Sequence, residues 1–270
     1  MILLLIGMSV FLLLAACGNE ASSEESESGV RTIEVAVPPT SKPLSWDENG
    51  ELKGFEPDIL GLVDEKLDDY NFELVGVGDS AAETGLDTGK YDMIAQGLFL
   101  SEEREEKYIV PTESNGASLM RIFTNDENKD IQSMEDLVGK NIVPTTPTGG
   151  VFNFLMDWNE ENPDYEIEFK TSDAGLSYAD RLKEVESGKY DALVLPSNLG
   201  HNEIIESQDL NIHLSEPVEV FPTYFLIYNT EENVPLAEEI SKALRELKDE
   251  GALSEVSLEY FGEDIYQYEQ

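Results

Sequence analysis

At 270 residues and 40% hydrophobic content, the chain is long enough for one large domain or two of ordinary size, and apolar enough to fill real cores. Its 57 Asp and Glu against 17 Lys and Arg leave a formal net charge of -40 at pH 7, which repels polyanions and anionic lipid surfaces and excludes nucleic acid as a partner. So many carboxylates read as a solvated surface suited to saline or alkaline medium rather than a patch built for one partner.

In chain order, the first feature is the apolar run Ile2 to Ala16, shorter than the ~20 residues of a membrane span. It ends in small residues before the single cysteine, Leu13-Leu14-Ala15-Ala16-Cys17, and residues 1–16 read as a signal peptide. The last four residues resemble the bacterial lipobox, which implies lipidation of the Cys17 thiol and cleavage just before it. No Lys or Arg precedes the apolar core, which points to a start codon further upstream. With Cys17 so used, disulfides are excluded. Gly18 to Gly29 is rich in Ser, Glu and Gly and lacks large apolar residues, so residues 17–30 read as a lipidated cysteine and flexible tether.

The folded part then starts near Arg31. Thr32 to Val37 predicts a strand, Gly54 to Tyr70 a helix with Ile59, Leu60, Val63 and Leu67 on one face, and Phe72 to Val77 a second strand. Ser80 to Thr88 predicts a short helix closed by Gly89, and Tyr91 to Gln96 a third strand. The same order returns later: strand Lys140 to Thr146, helix Val151 to Asn162, strand Tyr165 to Thr171, helix Ser177 to Ser187 stopped by Gly188, strand Tyr190 to Leu195. At matching places stand Thr88-Gly89-Lys90-Tyr91-Asp92 and Ser187-Gly188-Lys189-Tyr190-Asp191. The alternation of strand and helix predicts an α/β fold of two similar lobes, each a mostly parallel sheet flanked by helices.

In open α/β sheets ligands bind beyond the carboxyl ends of the strands. The segments there are Gln96 to Arg104 in the first half, and Pro196 to Gly200 and Thr145 to Gly150 in the second. The last of these, a run of Thr and Gly between a strand and a helix, offers backbone N–H groups at a positive helix end, which suits an anion. Signals of catalysis are weak. The chain has two histidines, His201 and His213, and lacks HExxH, GxSxG and a P-loop. Gly76 to Ala81 matches the dinucleotide fingerprint only loosely and reads as a turn. No cofactor and no metal is expected.

Gly54-Phe55-Glu56-Pro57-Asp58-Ile59, Leu86 to Asp92, Gly97 to Arg104, Leu137-Val138-Gly139-Lys140 and Leu253 to Gly262 together resemble the amino-acid-binding lipoproteins and periplasmic proteins of ABC importers. The resemblance covers nearly all of the chain after the tether. It implies a two-lobed periplasmic-binding-protein type II fold that closes on its ligand about two hinge crossings, near Leu119 to Thr124 and Val220 to Tyr228. Lobe 1 is then discontinuous, residues 31–121 and 222–270, and lobe 2 spans 122–221. The implied partners are a small solute, the permease of an ABC importer and, through the lipid, the outer face of the cell membrane, with the protein itself a monomer.

Carried over residue by residue, the resemblance makes Gly97, Ser101, Glu103 and Arg104 the family's segment that ends in an arginine clamping the ligand carboxylate. Thr148 and Gly149 fall where the family has a Thr pair for the same group. Three positions depart from the pattern: Phe99 replaces a small hydroxyl residue, Pro196 an aspartate that receives the ligand amine, and Ser41 an aromatic. Ser197, Asn198 and Asp173 are the alternative acceptors. The ligand type most resembled is cystine or a polar amino acid, with peptide-like or decarboxylated amine ligands as alternatives. A dehydratase or cell-wall lyase on the same fold, and a receptor presenting its ligand to a membrane sensor, are the competing functions.

Overall fold

The computed structural model describes residues 29–147, 149–172 and 175–269; the signal-peptide segment, Cys17, Thr148 and Asp173 lie outside the described residues. The elements are β1 (Arg31–Val37), β2 (Thr40–Ser41), β3 (Ser45–Glu48), β4 (Glu51–Lys53), α1 (Phe55–Asp64), β5 (Tyr70–Gly76), α2 (Asp79–Asp87), β6 (Met93–Phe99), α3 (Glu102–Lys107) and β7 (Gly116–Thr124). There follow α4 (Gly150–Glu161), α5 (Tyr178–Glu186), β8 (Ala192–Pro196), α6 (His201–Ser207), β9 (His213–Leu214), β10 (Glu219–Ile227), α7 (Val234–Glu250) and α8 (Ala252–Phe261).

One curled mixed sheet runs β5-β1-β6-β10-β7-β8, with β9 on β7. In lobe 1 the parallel strands β5, β1 and β6 meet the antiparallel β10 at Thr223–Ile227. β10 then pairs with β7 through Glu219↔Met120 to Thr223↔Gly116, and β7 continues against β8 from Met120 to Thr124. The two lobes thus hang on one antiparallel pair. Side chains show where one core hands over to the other: Ala117 and Leu119 pack with α1, α7 and α8 of lobe 1, whereas Met120 and Ile122 pack with Phe154 and Leu155 of α4 in lobe 2. The opposite sheet faces are covered by α2 in lobe 1 and by α5 and α6 in lobe 2.

Lobe 2 departs from the sequence expectation in regularity. The segments expected as strands at 140–146 and 165–171 run parallel and in the expected order but pair only through single bridges, the first with β8 at Ile142↔Ala192 and the two with each other at Thr145↔Thr171. Pro144 has no N–H to donate and interrupts the pairing. Asn159 of α4 takes both polar backbone groups of Ile167 into its side chain, N–H at 2.8 Å and C=O at 2.9 Å, so the second segment leans on a helix instead of a strand. The first long helix also ends earlier than its pattern, at Asp64 rather than near Tyr70. Asp64 Oδ1 accepts the Phe72 N–H at 2.8 Å, which turns the chain into β5.

The repeated phrase has one structural meaning in both lobes. Gly89 and Gly188 take φ of 69° and 72°, the left-handed conformation that costs glycine least and stops a helix. The next residue bonds back to the last turn, Lys90 N to Gly85 O at 2.8 Å and Lys189 N to Glu184 O at 3.0 Å. The aspartate then clasps the first strand of its lobe with two hydrogen bonds. Asp92 N–H donates to Glu34 O at 3.0 Å and its Oδ2 accepts from Glu34 N at 2.9 Å; Asp191 does the same with Asn141, both at 2.8 Å. The phrase sets the register of the third strand against the first and has no part in the ligand end of the sheet.

Candidate functional site

β6 delivers the lobe 1 side of the site. Gly97 has φ of 62°, and a Cβ there would lie 3.2 Å from Leu44 Cδ1, so glycine is needed both for the backbone and for the close approach. Phe99 ends the strand and is 37% exposed. Ser101 caps α3, its Oγ accepting the Arg104 N–H at 3.3 Å, and the acids Glu102, Glu103 and Glu105 sit in the first turn, where a helix favours negative charge. Arg104 folds back over the strand end: Nη1 donates to Phe99 O at 2.7 Å and Nη2 lies 3.7 Å from Glu83 of α2. Two of its five N–H directions are engaged in this way, and a carboxylate entering the cleft can compete for the fork that Glu83 now holds loosely.

Lobe 2 faces this with the start of α4. Gly149 is the helix N-cap in extended conformation without a side-chain cap. A Cβ on Gly150 would stand 3.2 Å from the Phe99 ring, so the two lobes touch here through an aromatic and a glycine. Phe99 also lies 5.4 Å from the Phe221 ring on β10, which meets Phe154 at 6.0 Å. Gly97, Phe99 and Arg104 therefore stand at the end of β6, and the α4 start at Gly149 and Gly150 comes up against Phe99. Ser197 and Asn198 are held elsewhere: both are buried against β7, Ser197 N–H on Leu119 O at 2.9 Å and Asn198 Oδ1 accepting from Ser118 Oγ at 3.3 Å. One acceptor direction of Asn198 is thus already used.

Between the lobes lies a cavity of about 500 Å³, within the usual range for small-molecule sites. The segment 38–44, Asp79 and Glu83 of α2, and Gln96 and Leu98 of β6 form one wall; Tyr178 and Leu199 of lobe 2 form the other. Gln96 begins the segment expected beyond the third strand, whereas Lys42, Asp79, Glu83 and Tyr178 are not marked by the sequence pattern. Asp79 is the first residue of α2 directly beyond the end of β5, the one position whose place in the strand–helix order could have signalled it. Lys42 also ties the lobes, its ammonium 3.1 Å from Glu203 of α6. The chemistry is mixed: two carboxylates and a lysine line the space, one of the carboxylates, Glu83, lies 3.7 Å from Arg104, and the buried Nε2 of Gln96 has no partner.

A larger opening of about 710 Å³ lies on the flank of lobe 2, between residues 139–142 and 166–171. It is the gap left where those two segments splay apart, and it meets none of the strand ends. Burial pushes the Tyr178 hydroxyl above its ordinary pKa and His201 below its own. Burial also raises Glu56 to about 7, against the opposing pull of the Asn115 side chain and the Gly97 backbone. Among the described residues no three His, Cys, Asp or Glu side chains converge as a metal site, and no helix is long and apolar enough to cross a membrane.

Proteins similar to this chain carry names of solute-binding proteins. The probable amino-acid-binding protein YxeM of Bacillus subtilis is 28% identical over 263 residues, 97% of this chain and 95% of that protein. The L-cystine-binding protein TcyK of the same organism is 28% identical over 271 residues, with 97% and 95% covered. The crystal structure of the probable amino-acid ABC transporter extracellular-binding protein ytmK from Bacillus subtilis superposes with a TM-score of 0.74 at 25% identity, covering 87% of this chain and 99% of that one. The unliganded, open L-cystine solute receptor of Neisseria gonorrhoeae shares the fold with a TM-score of 0.69 at 21% identity, covering 88% and 95%. The family model of the bacterial extracellular solute-binding proteins, family 3, matches residues 33–263, and the chain belongs to that family.

Proposed function

We propose that this protein captures an amino acid or amino-acid-like solute, cystine among the candidates, by closing its two lobes and delivers it to the permease of an ABC importer. The observation that carries this reading is the cavity between the lobes, with Arg104 just past the end of β6 and 3.7 Å from Glu83 of the cavity wall. A planar guanidinium beside the cavity suits a carboxylate, and the α4 N-terminus, which meets the end of β6 at Phe99, adds a positive helix end nearby. Asp79 and Glu83 offer the counter-charge for an amine that Pro196 cannot supply. The handover of the cores at Leu119/Met120 supports the expected lobe boundaries, 31–121 with 222–270 and 122–221, with β7 and β10 as the hinge. The Leu14-to-Cys17 motif supports a lipid anchor on the outer face of the membrane, and the protein acts as a monomer.

Thermal-shift screening of amino acids, L-cystine and small amines identifies the solute, because a ligand at 100 times its Kd adds about 2.7 kcal/mol of stability. Calorimetry with that solute then tests the clamp. Arg104→Ala is expected to weaken binding by about 2 to 5 kcal/mol, a roughly 30-fold to several-thousand-fold loss. Arg104→Lys is expected to bind poorly as well, because a point charge cannot form two parallel hydrogen bonds. An Arg104→Ala protein that binds within about threefold of wild type would remove Arg104 from the site. Anchoring is tested by Cys17→Ser, expected to release the protein into the medium.

A further inference from the structure

Glu56 is the one carboxylate buried to 0% exposure among the described residues. It enters the interior at the second position of α1, because Gly54 brings the chain so close to Leu44 that the helix starts inside the protein: a Cβ on Gly54 would sit 2.6 Å from Leu44 O. Its Oε2 accepts from Asn115 Nδ2 at 2.9 Å. The Gly97 N–H faces the carboxyl and favours its ionised form, yet Oε1 closes no hydrogen bond. Asn115 Oδ1, also buried, lacks a donor too. Two orphan acceptors in one closed cluster are one proton short, and unpaired buried acceptors are costly.

The cluster lies where three segments meet. Gly97 begins the strand end that carries Phe99 and Arg104. Asn115 precedes β7, and its N–H donates to Thr223 O of β10 at 2.9 Å. Its carbonyl accepts from the Tyr266 hydroxyl at 2.8 Å. We propose that Glu56 is a positioning residue for the solute site, tying the backbone at Gly97 to the foot of the two crossing strands through Asn115. The proposal rests on the solute-binding reading above.

The proton explains how the tie is set. When Glu56 is ionised, both of its oxygens draw N–H donors, and Gly97 is pulled toward it. When it is protonated, the carboxyl has a hydrogen of its own to give, the Gly97 N–H loses an acceptor, and the strand end relaxes. The titratable groups around it are Tyr266, whose own ionisation Glu56 opposes, and Glu269, held by Ser114 and Lys248 next to Asn115. Asp58 on the same helix turns outward to Tyr260, and no charged side chain bonds Glu56. The carboxyl, raised to about 7 by burial, changes state within the range an external protein meets.

The test follows the Gly97 and Phe99 backbone amides by NMR from pH 5.5 to 8.5 in the ligand-free wild type and in Glu56→Gln. Alongside it, affinity for the probe L-cystine, or for another amino acid if screening selects one, is measured by calorimetry across the same range. The expected result is a Gly97 amide that titrates near pH 7 in the wild type and is flat in Glu56→Gln, with affinity changing at least threefold between pH 6 and 8 in the wild type only. A Gly97 amide that does not titrate in the wild type overturns the proposal, whatever the variant does. A titrating amide with identical, pH-independent affinities in both proteins overturns it as well. If no amino acid binds at any pH, the solute reading fails while the amide titration still decides whether Glu56 sets the strand end.

Discussion

The two copies of the Gly-Lys-Tyr-Asp phrase share their backbone hydrogen bonds but differ in how their tyrosines are buried. Tyr91 is 4% exposed and lies flat across α2, because position 85 is glycine: a Cβ there would be 2.3 Å from the ring. At the matching position lobe 2 has Glu184, which bonds Lys189 Nζ at 2.6 Å, and Tyr190 stays half-buried. The same phrase thus ends in a fully buried ring in lobe 1 and a half-buried one in lobe 2. A local motif fixes how a helix hands over to a strand, and the residue one helical turn before it decides what the motif's aromatic is worth.

The largest break in that comparison comes from Tyr91→Ala, which empties an aromatic site and is expected to cost about 3 to 5 kcal/mol, whereas Tyr190→Ala should cost less than about 2. Denaturant unfolding of both variants measures the difference, and equal losses would mean that the two rings are buried alike. Gly85→Ala is expected to cost about 1 to 3 kcal/mol by overpacking the ring.

The second contrast is in buried titratable groups, Glu56 in lobe 1 and His201 in lobe 2. Glu56 binds its proton more tightly in the folded state, so its contribution to stability is present below pH 4.5 and lost as pH rises to about 7. The loss is on the order of 3 kcal/mol, at about 1.36 kcal/mol for each pH unit of that window. His201 has the opposite sign: burial lowers its pKa, so the folded state resists its protonation and stability falls as pH drops below about 6.5. Thermal unfolding from pH 4 to 8 should therefore flatten on the neutral side in Glu56→Gln and on the acid side in His201→Gln. A Glu56→Gln curve parallel to wild type between pH 5 and 7 would contradict the assignment.

Smaller effects sharpen the parallel. Asp92→Ala and Asp191→Ala each remove the side-chain half of the clasp, leaving the N–H of Glu34 or Asn141 without its carboxylate, and should cost about 1 to 2 kcal/mol. Asp92 also holds Arg31 at 3.2 Å on a part-exposed surface, which adds less than about 1 kcal/mol. The smallest differences are at helix starts. α5 carries a full capping box, Ser177 with Asp180, and Ser177→Ala should lose about 1 kcal/mol. α2 starts at Gly78 in ordinary extended conformation with open space around it, so Gly78→Ser should gain a few tenths. Chemical denaturation of this pair resolves both signs.

Much of this fold was legible because its elements are periodic and punctuated. Ile59, Leu60 and Val63 mark the buried side of α1, and Gly89 and Gly188 stop their helices where the sequence places them. Lobe 2's strands were overdrawn, since apolar alternation in 165–171 says that the face is buried but not that a ladder forms. The site was half legible. Gly97, Phe99, Ser101, Arg104 and Gly149 stand at strand and helix ends, which the order of elements predicts. Lys42, Glu83 and Tyr178 reach the cavity only through the way 38–44, α2 and α5 are folded around it, and no local pattern records that. Nor could sequence show that Ser197 and Asn198 are pressed against β7.

The residues that mark the handover between cores are also neighbours in space. Met120 and Glu219 are register partners on β7 and β10, which places their Cα atoms about 5 Å apart. Everything from Arg121 to Val218 is in that sense a cassette spliced into lobe 1 through two adjacent ends. A cassette with adjacent ends can be exchanged for one from a relative, or have its ends joined by a short turn, without stretching the host. Arg121 marks what such a graft must keep: its guanidinium reaches back across the splice to Glu263 at 2.6 Å while holding Ser215 O at 2.7 Å, so the insert is fastened to its host by a side chain as well as by the chain.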